Sequence, residues 1–357
     1  MGAENGQKSL LERIEMPEIP MEVAQEFALL EQRFIRAETE RLRRSTVENR
    51  PLWEKRSEII SKVQDDFWVR VLSHAPAEID EYIQHADAAV LGSALKDLTV
   101  ERFEVDDKGN GEPRSLRFTF VFRTGEENPF FENEKLVKEF YWRKKITKTS
   151  KGKRRTWEGL VSEPVRINWK EGMDLTKGLL DAACDLAEAE KKKGGDRKKL
   201  PEFEKLAEKM EELEAAAMED NEEDEEDFPT PAGTSFFGFF GYRGNVVSAE
   251  ESKEANKEDD ERFEKALKGE KFDDEEDDDD EEDDEEDSFD EIEIFPDGED
   301  LAIALAEDLW PNAHKYYGQS FEIGDDYSEI DEDELEDEED EGEDEEDNSR
   351  PRKKARV

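Results

Sequence analysis

The apolar positions Val23, Phe27, Leu30, Phe34 and Ala37 recur at alternating steps of four and three, with Glu, Gln and Arg between them. This spacing lays one apolar stripe along a helix, the pattern of a heptad seam. The seam thins over 41–50, where only Leu42 and Val47 are apolar, and resumes at Leu52, Trp53, Ile59, Ile60, Val63 and Phe67. Pro51 falls inside the span and predicts a kink or break near Arg50. A continuous helix over 21–72 would be about 78 Å long at ~1.5 Å per residue. Longer than a small domain, it could not bury its seam within one monomer, so it needs a partner helix, most simply a second copy of the chain. Val23, Phe27, Leu30, Phe34, Ala37, Leu52, Ile59 and Val63 would form that homodimer seam. Two shorter amphipathic helices of one bundle are the other reading.

Residues 76–98 read as one or two shorter helices, through Ile79, Tyr82 and Ile83 and then 88–95. From Leu98 the period changes to two. Val100, Phe103 and Val105 alternate with polar residues, a turn follows at Asp107-Lys-Gly-Asn-Gly-Glu, and Leu116, Phe118, Phe120 and Phe122 return as a strand. This is a hairpin with one buried face. A second pair, 136–147 and 156–169, flanks a tip at 149–153, which gives an antiparallel sheet of about four strands. Two charged helical stretches follow, 173–193 and 200–218, separated by Gly194-Gly195. The run Ser235-Phe-Phe-Gly-Phe-Phe-Gly-Tyr reads as core or a buried sheet edge rather than a ligand box. Over 292–317 Asp297 is placed to cap a helix carrying Leu301, Leu305 and Leu309, with Trp310 and Tyr316 as core anchors. The fold class is α+β.

Charge divides the chain more sharply than hydropathy does. Apolar residues make up 34% and charged residues 43% of the 357, far from a globular balance. The net charge of −51 is concentrated in 219–227, 273–287 and 325–347, which hold 8, 15 and 18 acidic residues and no Lys or Arg. Without these blocks the other 310 residues carry −10. The blocks cannot bury apolar surface and repel themselves, so they are expected to be disordered. Such a polyanion disfavours nucleic acid and anionic membrane, and favours basic proteins or multivalent cations. Each exposed ion pair is worth only about 0.2–1 kcal/mol. Selectivity must therefore come from the folded part.

Two basic stretches run against this balance. Residues 143–155 carry eight Lys or Arg across the second hairpin tip. A contact for DNA or an import receptor, an intramolecular perch for an acidic segment, and a solvated hairpin are the readings of that stretch. At the C-terminus Arg350, Arg352, Lys353, Lys354 and Arg356, beside Pro351, fit a monopartite nuclear import signal directly after a polyacidic tail. The expected location is the nucleus, with possible shuttling to the cytoplasm.

Catalytic chemistry has little to stand on. Cys184 is the single cysteine, so no intramolecular disulfide is possible, and His74, His85 and His314 lack metal-ligand spacing. There is no phosphate-cradling glycine loop and no Gly-x-Ser-x-Gly elbow. Residues 106–111 share only the start of a calcium loop and read as a turn. No apolar run approaches the ~20 residues of a membrane span, and residues 1–11 lack the order of a secretory signal. The expectation is a soluble, intracellular, non-enzymatic protein without cofactor or metal.

The pieces also resemble a known family in their order. Pro51-Leu-Trp-Glu-Lys-Arg-Ser-Glu-Ile-Ile with Phe67-Trp, Glu127-Asn-Pro-Phe-Phe-Glu-Asn with Lys138-Glu-Phe, Ile167-Asn-Trp-Lys-Glu-Gly, Ser235-Phe-Phe, and Glu307-Asp-Leu-Trp-Pro-Asn with Tyr316-Tyr are similar to the SET branch of the nucleosome assembly protein family. The resemblance spans roughly 23–317 and implies a long dimerisation helix followed by an earmuff domain, an antiparallel sheet backed by helices. The implied division is an N-terminal segment (1–20), the dimerisation helix (21–75), the earmuff domain (76–317) with charged insertions near 185–232 and 246–291, and an acidic tail (318–357). Both insertions depart from the family pattern and are expected to project as mobile excursions. The implied function is a histone chaperone for core histones in nucleosome assembly and disassembly. A regulatory role as phosphatase inhibitor or histone acetyltransferase partner is the alternative. Histone-binding candidates are Asp297, Glu299 and Asp300 at the start of the last helical segment, then Glu307, Asp308, Asp325 and Asp326. The carboxylates before that helix are equally explained as favouring its N-terminus.

Overall fold

A computed structural model of the chain describes residues 20–63, 66–148, 154–220, 235–269 and 292–326. The hairpin tip, most of the three acidic blocks and the import-signal residues Arg350, Arg352, Lys353, Lys354 and Arg356 lie outside the described residues, as do the side chains of Asp325 and Asp326. Helix α1, Met21–Ile60, runs straight through the expected break at Arg50 with Pro51 inside it. A proline there removes one main-chain hydrogen bond, and its exposed position in a 40-residue helix leaves the remaining ladder to carry the turn. The interruption comes ten residues later instead. Val63, expected on the seam, sits in the turn after the helix, where its N–H donates to the Ile60 carbonyl at 2.8 Å. The helix expected over 21–75 therefore ends at Ile60, and α2, Phe67–Leu72, buries Phe67, Trp68, Val71 and Leu72 in the domain.

Short helices α3 (Ala77–Asp80) and α4 (His85–Ala94) lead into β1 (Leu95–Glu101), which starts three residues before the alternation does. Strands β2 (Leu116–Phe122), β3 (Lys135–Lys148) and β4 (Arg154–Ser162) complete an antiparallel meander in the order β1-β2-β3-β4. The register pairs Leu98 with Phe120, Phe120 with Leu136, and Leu116 with Phe140, so the alternating apolar residues share one face. That face is covered by a tight helical turn at Phe236–Gly241, whose four phenylalanines are fully buried. Phe239 meets Phe118 edge-on at 5.7 Å between ring centroids, and Phe240 meets Phe120 at 5.4 Å. Asp87 fixes the turn from α4 by accepting hydrogen bonds from the Ser235 hydroxyl and from the Phe236 N–H at 2.8 Å.

One residue of the buried face is a lysine. Lys138 stands opposite Phe118 in the sheet and is wholly enclosed. Its ammonium donates to the carbonyls of Glu163 (2.8 Å), Phe240 (3.1 Å) and Tyr242 (2.6 Å), tying β3 to the chain after β4 and to the aromatic turn. Burial pushes its pKa down to about 7, opposed by the negative charge of Glu293.

Helices α5 (Leu179–Lys193) and α6 (Pro201–Asp220) follow the sheet. Leu186, Ala187 and Ala189 of α5 are buried, so the insertion expected from residue 185 begins inside the core. Within the second insertion, Ala249–Leu267 forms helix α7, started by a capping box of Ser248 and Glu251, and it packs on β3 rather than projecting. Helix α8 (Gly298–Ala304), a wider turn over Leu305–Leu309 and helix α9 (Trp310–Asp326) close the domain. Trp310 and Tyr316 are buried there, and Trp310 stacks on Trp68 at 5.4 Å.

Candidate interaction surfaces

Helix α1 presents two unlike faces. None of its residues is buried within the chain. Phe27, Phe34 and Leu52 are 61%, 67% and 63% exposed, and Val23, Leu30, Ala37 and Ile59 of the expected seam are exposed with them. At about 100° per residue the seam lies roughly opposite Arg36, Arg43 and Arg50. These arginines turn toward the chain's own domain. Arg43 donates to the Gly111 carbonyl at 2.9 Å, and Arg50 pairs with Asp107 at 2.7 Å and bonds the Val105 carbonyl. Arg56 lies over the rings of Trp310 and Trp53, 4.0 and 4.5 Å from their centroids, and donates to the Trp310 carbonyl. A cleft of about 1040 Å³ runs between this face and the domain, with Leu42, Trp53, Val100, Trp142 and Trp310 in its walls. The inward face thus mixes arginines with Leu42 and Trp53, while the apolar stripe faces outward.

The acidic candidates divide by environment. Asp297 occupies the N-cap position of α8, where its carbonyl accepts from the Leu301 N–H at 2.9 Å, but its side chain makes no capping bond. Glu299 turns inward and accepts from the Leu160 N–H at 3.1 Å, and burial, reinforced by Asp300, raises its carboxyl pKa. Asp308 accepts from Asn312 (2.7 Å) and the Tyr316 hydroxyl (2.9 Å), which places it in the domain's internal bonding. Glu307 is exposed while pairing with Arg102 at 3.1 Å, and Asp300 is exposed. Glu299 and Asp308 are therefore committed to the fold, whereas Asp300 and Glu307 face outward.

The basic hairpin is engaged as well. Asp259 of α7 lies 3.1 Å from Lys144, 3.2 Å from Arg36 and 3.6 Å from Arg154, joining two strands of the hairpin to α1. Of the described residues of this stretch, Lys144 and Arg154 are held by carboxylates of a helix of the same chain.

Residues 61–320 match the family described as Nucleosome assembly protein (NAP). The chain belongs to that family. Among curated relatives of this NAP-family chain, a putative nucleosome assembly protein of Schizosaccharomyces pombe is 36% identical over 158 residues, 43% of this chain and 62% of the relative. Protein SET of Drosophila melanogaster is 33% identical over 131 residues, 37% of this chain and 42% of the relative. The chain thus spans less than two thirds of the length of these two relatives. A solved structure of Ccp1 aligns over 84% of this chain and 96% of its own length at 26% identity, with a TM-score of 0.47.

In this NAP-family domain three features escape sequence reading: the inward arginine stripe, the buried Lys138, and α7. The stripe had a signal, since Arg36, Arg43 and Arg50 recur every seventh residue. Lys138 had one too, as a lysine between Leu136 and Phe140 in the apolar phase of β3. Helix α7 had only its Ser248–Glu251 cap, because its composition is that of a solvated segment. Among the described residues no helix is long and apolar enough to cross a membrane.

Proposed function

We propose that the chain is a non-enzymatic histone chaperone that acts in the nucleus as a homodimer, binding core histones during nucleosome assembly and disassembly. The observation that carries this reading is the charge partition of a NAP-family chain: 41 carboxylates in three blocks without Lys or Arg, attached to a body of net charge −10. Lysine- and arginine-rich cargo meets these arms without fixed geometry and releases their counterions, while the domain's outward acids, Asp300 and Glu307, with Asp297 beside them, supply a fixed surface. The exposed seam of Val23, Phe27, Leu30, Phe34, Ala37, Leu52 and Ile59 supports self-association, since an apolar stripe of this length on one helix finds its simplest complement in its own copy.

Titration with core histones at rising salt tests the chaperone reading. A domain-assisted complex persists at moderate salt, whereas a plain polyanion loses affinity steeply as screening shortens toward ~8 Å at physiological ionic strength. Collapse of binding at moderate salt would remove the domain from the mechanism. For location, deletion of residues 350–357 shifts a fluorescent fusion from nucleus to cytoplasm; an unchanged nuclear signal would dismiss the basic cluster as the import signal.

A further inference from the structure

The second insertion leaves the domain and returns to it at one point. Glu293 accepts the main-chain N–H groups of Arg243 at 2.8 Å and Gly244 at 3.0 Å, so the chain before residue 245 and after residue 292 is pinned together. Helix α7 lies between these two points.

The seat is built for a particular kind of helix. Strand β3 continues past the end of its pairing with β2, which stops at Leu116–Phe140, and this leaves an uncovered edge. There the Lys144 N–H donates to the Ser252 hydroxyl of α7 at 3.0 Å, as the Trp142 N–H does to Ser115 at 2.9 Å. Ser252, Ala255, Asp259 and Phe263 follow at i, i+3, i+7 and i+11, one face of a helix. Ser252 and Ala255 are buried, Asp259 meets Lys144, Arg36 and Arg154, and Phe263 lies under the Arg36 guanidinium at 4.3 Å. Asp260 adds a second contact to Arg36 at 2.6 Å and Glu258 another to Arg154 at 3.5 Å. Apart from Phe263 this contact is made by small and charged side chains. A 19-residue helix held in that way is bound mainly by partly buried ion pairs rather than by apolar packing, unlike the aromatic turn at Phe236–Gly241.

We propose that α7 is a self-supplied ligand, and that the surface of Arg36, Lys144, Arg154 and the free β3 edge is a docking site for an acidic amphipathic helix of a partner protein, occluded until α7 is displaced. The partner helix carries a small residue against the strand edge, a carboxylate two turns on, and an aromatic one further turn beyond. The cations alone would also suit a phosphate backbone. The helical spacing, the serine on the strand edge and the aromatic under Arg36 favour a peptide.

The test uses the full chain and a fluorescent peptide of residues 247–268 as the probe, read by anisotropy at low salt. The triple variant Glu258→Gln/Asp259→Asn/Asp260→Asn weakens the internal occupant and binds the peptide about tenfold more tightly than the unaltered chain, because the competing helix is no longer held at high effective concentration. Adding Lys144→Glu and Arg154→Glu to that variant abolishes the gain. Amide exchange over 249–267 accelerates in the triple variant while 116–122 and 236–240 remain protected, which separates release of α7 from unfolding. Equal peptide affinity for the unaltered chain and the triple variant would overturn the proposal. So would a gain in affinity for a DNA duplex that excess peptide fails to compete, since the seat would then be one for nucleic acid.

Discussion

The six residues from Phe236 to Gly241 and the forty from Met21 to Ile60 put apolar side chains to opposite uses. The short turn buries all four of its phenylalanines between the sheet and its own chain, and the long helix buries none of its residues. Abundance of apolar side chains does not separate them. Geometry does, because a tight turn can face one sheet with every ring, whereas a rod nearly 40 residues long can touch its own domain along one stripe only. That stripe carries Arg36, Arg43, Arg50 and Arg56 with Leu42 and Trp53, and the apolar seam faces away from it. The buried core and the exposed apolar stripe thus lie in separate parts of the molecule.

Substitutions at the two regions sharpen this contrast. The largest effect belongs to Phe239→Ala, which empties a site shared with Phe118 and Phe140 and lowers unfolding free energy by about 3–5 kcal/mol in urea titration. A loss under about 1 kcal/mol would mean that the aromatic turn is not part of the core. Lys138→Met comes next at about 3 kcal/mol, because three buried carbonyls lose their donor. It also changes a pH slope. With the folded pKa depressed to about 7 and the unfolded value near that of free lysine, the unfolded chain holds this proton over roughly pH 7–9 and the folded chain does not. The unaltered chain therefore gains stability as pH rises through that window, by at most about 1.4 kcal/mol per unit, and the methionine variant loses this gain. Equal slopes for the two proteins would show that Lys138 keeps its proton in the fold. The smallest effect on the folding of a single chain belongs to Leu30→Glu with Phe34→Glu, within about 0.5 kcal/mol for positions exposed in that chain. The same pair converts dimers to monomers in sedimentation, and unchanged dimers would reject the seam.

The sequence made the sheet legible because Leu116, Phe118, Phe120 and Phe122 alternate strictly on the core face, opposite Arg117, Thr119 and Val121. The aromatic turn was readable as core from its density of rings. The apolar stripe of α1 was readable from its heptad, apart from Val63, which the end of α1 at Ile60 moves into a turn. Pro51 misled, since its local penalty suggested a break that a long exposed helix absorbs. The individual acids were the least legible. Glu299 and Asp300 are neighbours on one short helix, yet one bonds to Leu160 and the other faces water, a distinction set by the path of β4 some 140 residues away in sequence. Helix α7 was hidden for a similar reason. Its partners Arg36, Lys144 and Arg154 lie on three other elements, and periodicity within a segment carries nothing about charges outside it.

The root held by Glu293 has a further consequence for how such a chain changes over generations. Because Arg243 and Gly244 meet Glu293 whatever hangs between them, the entropy of closing that loop grows only with the logarithm of its length, about 0.6 kcal/mol for each doubling. Duplications and deletions of acidic codons there are nearly neutral for folding. Selection is left free to adjust the amount of carried charge while the scaffold stays unchanged.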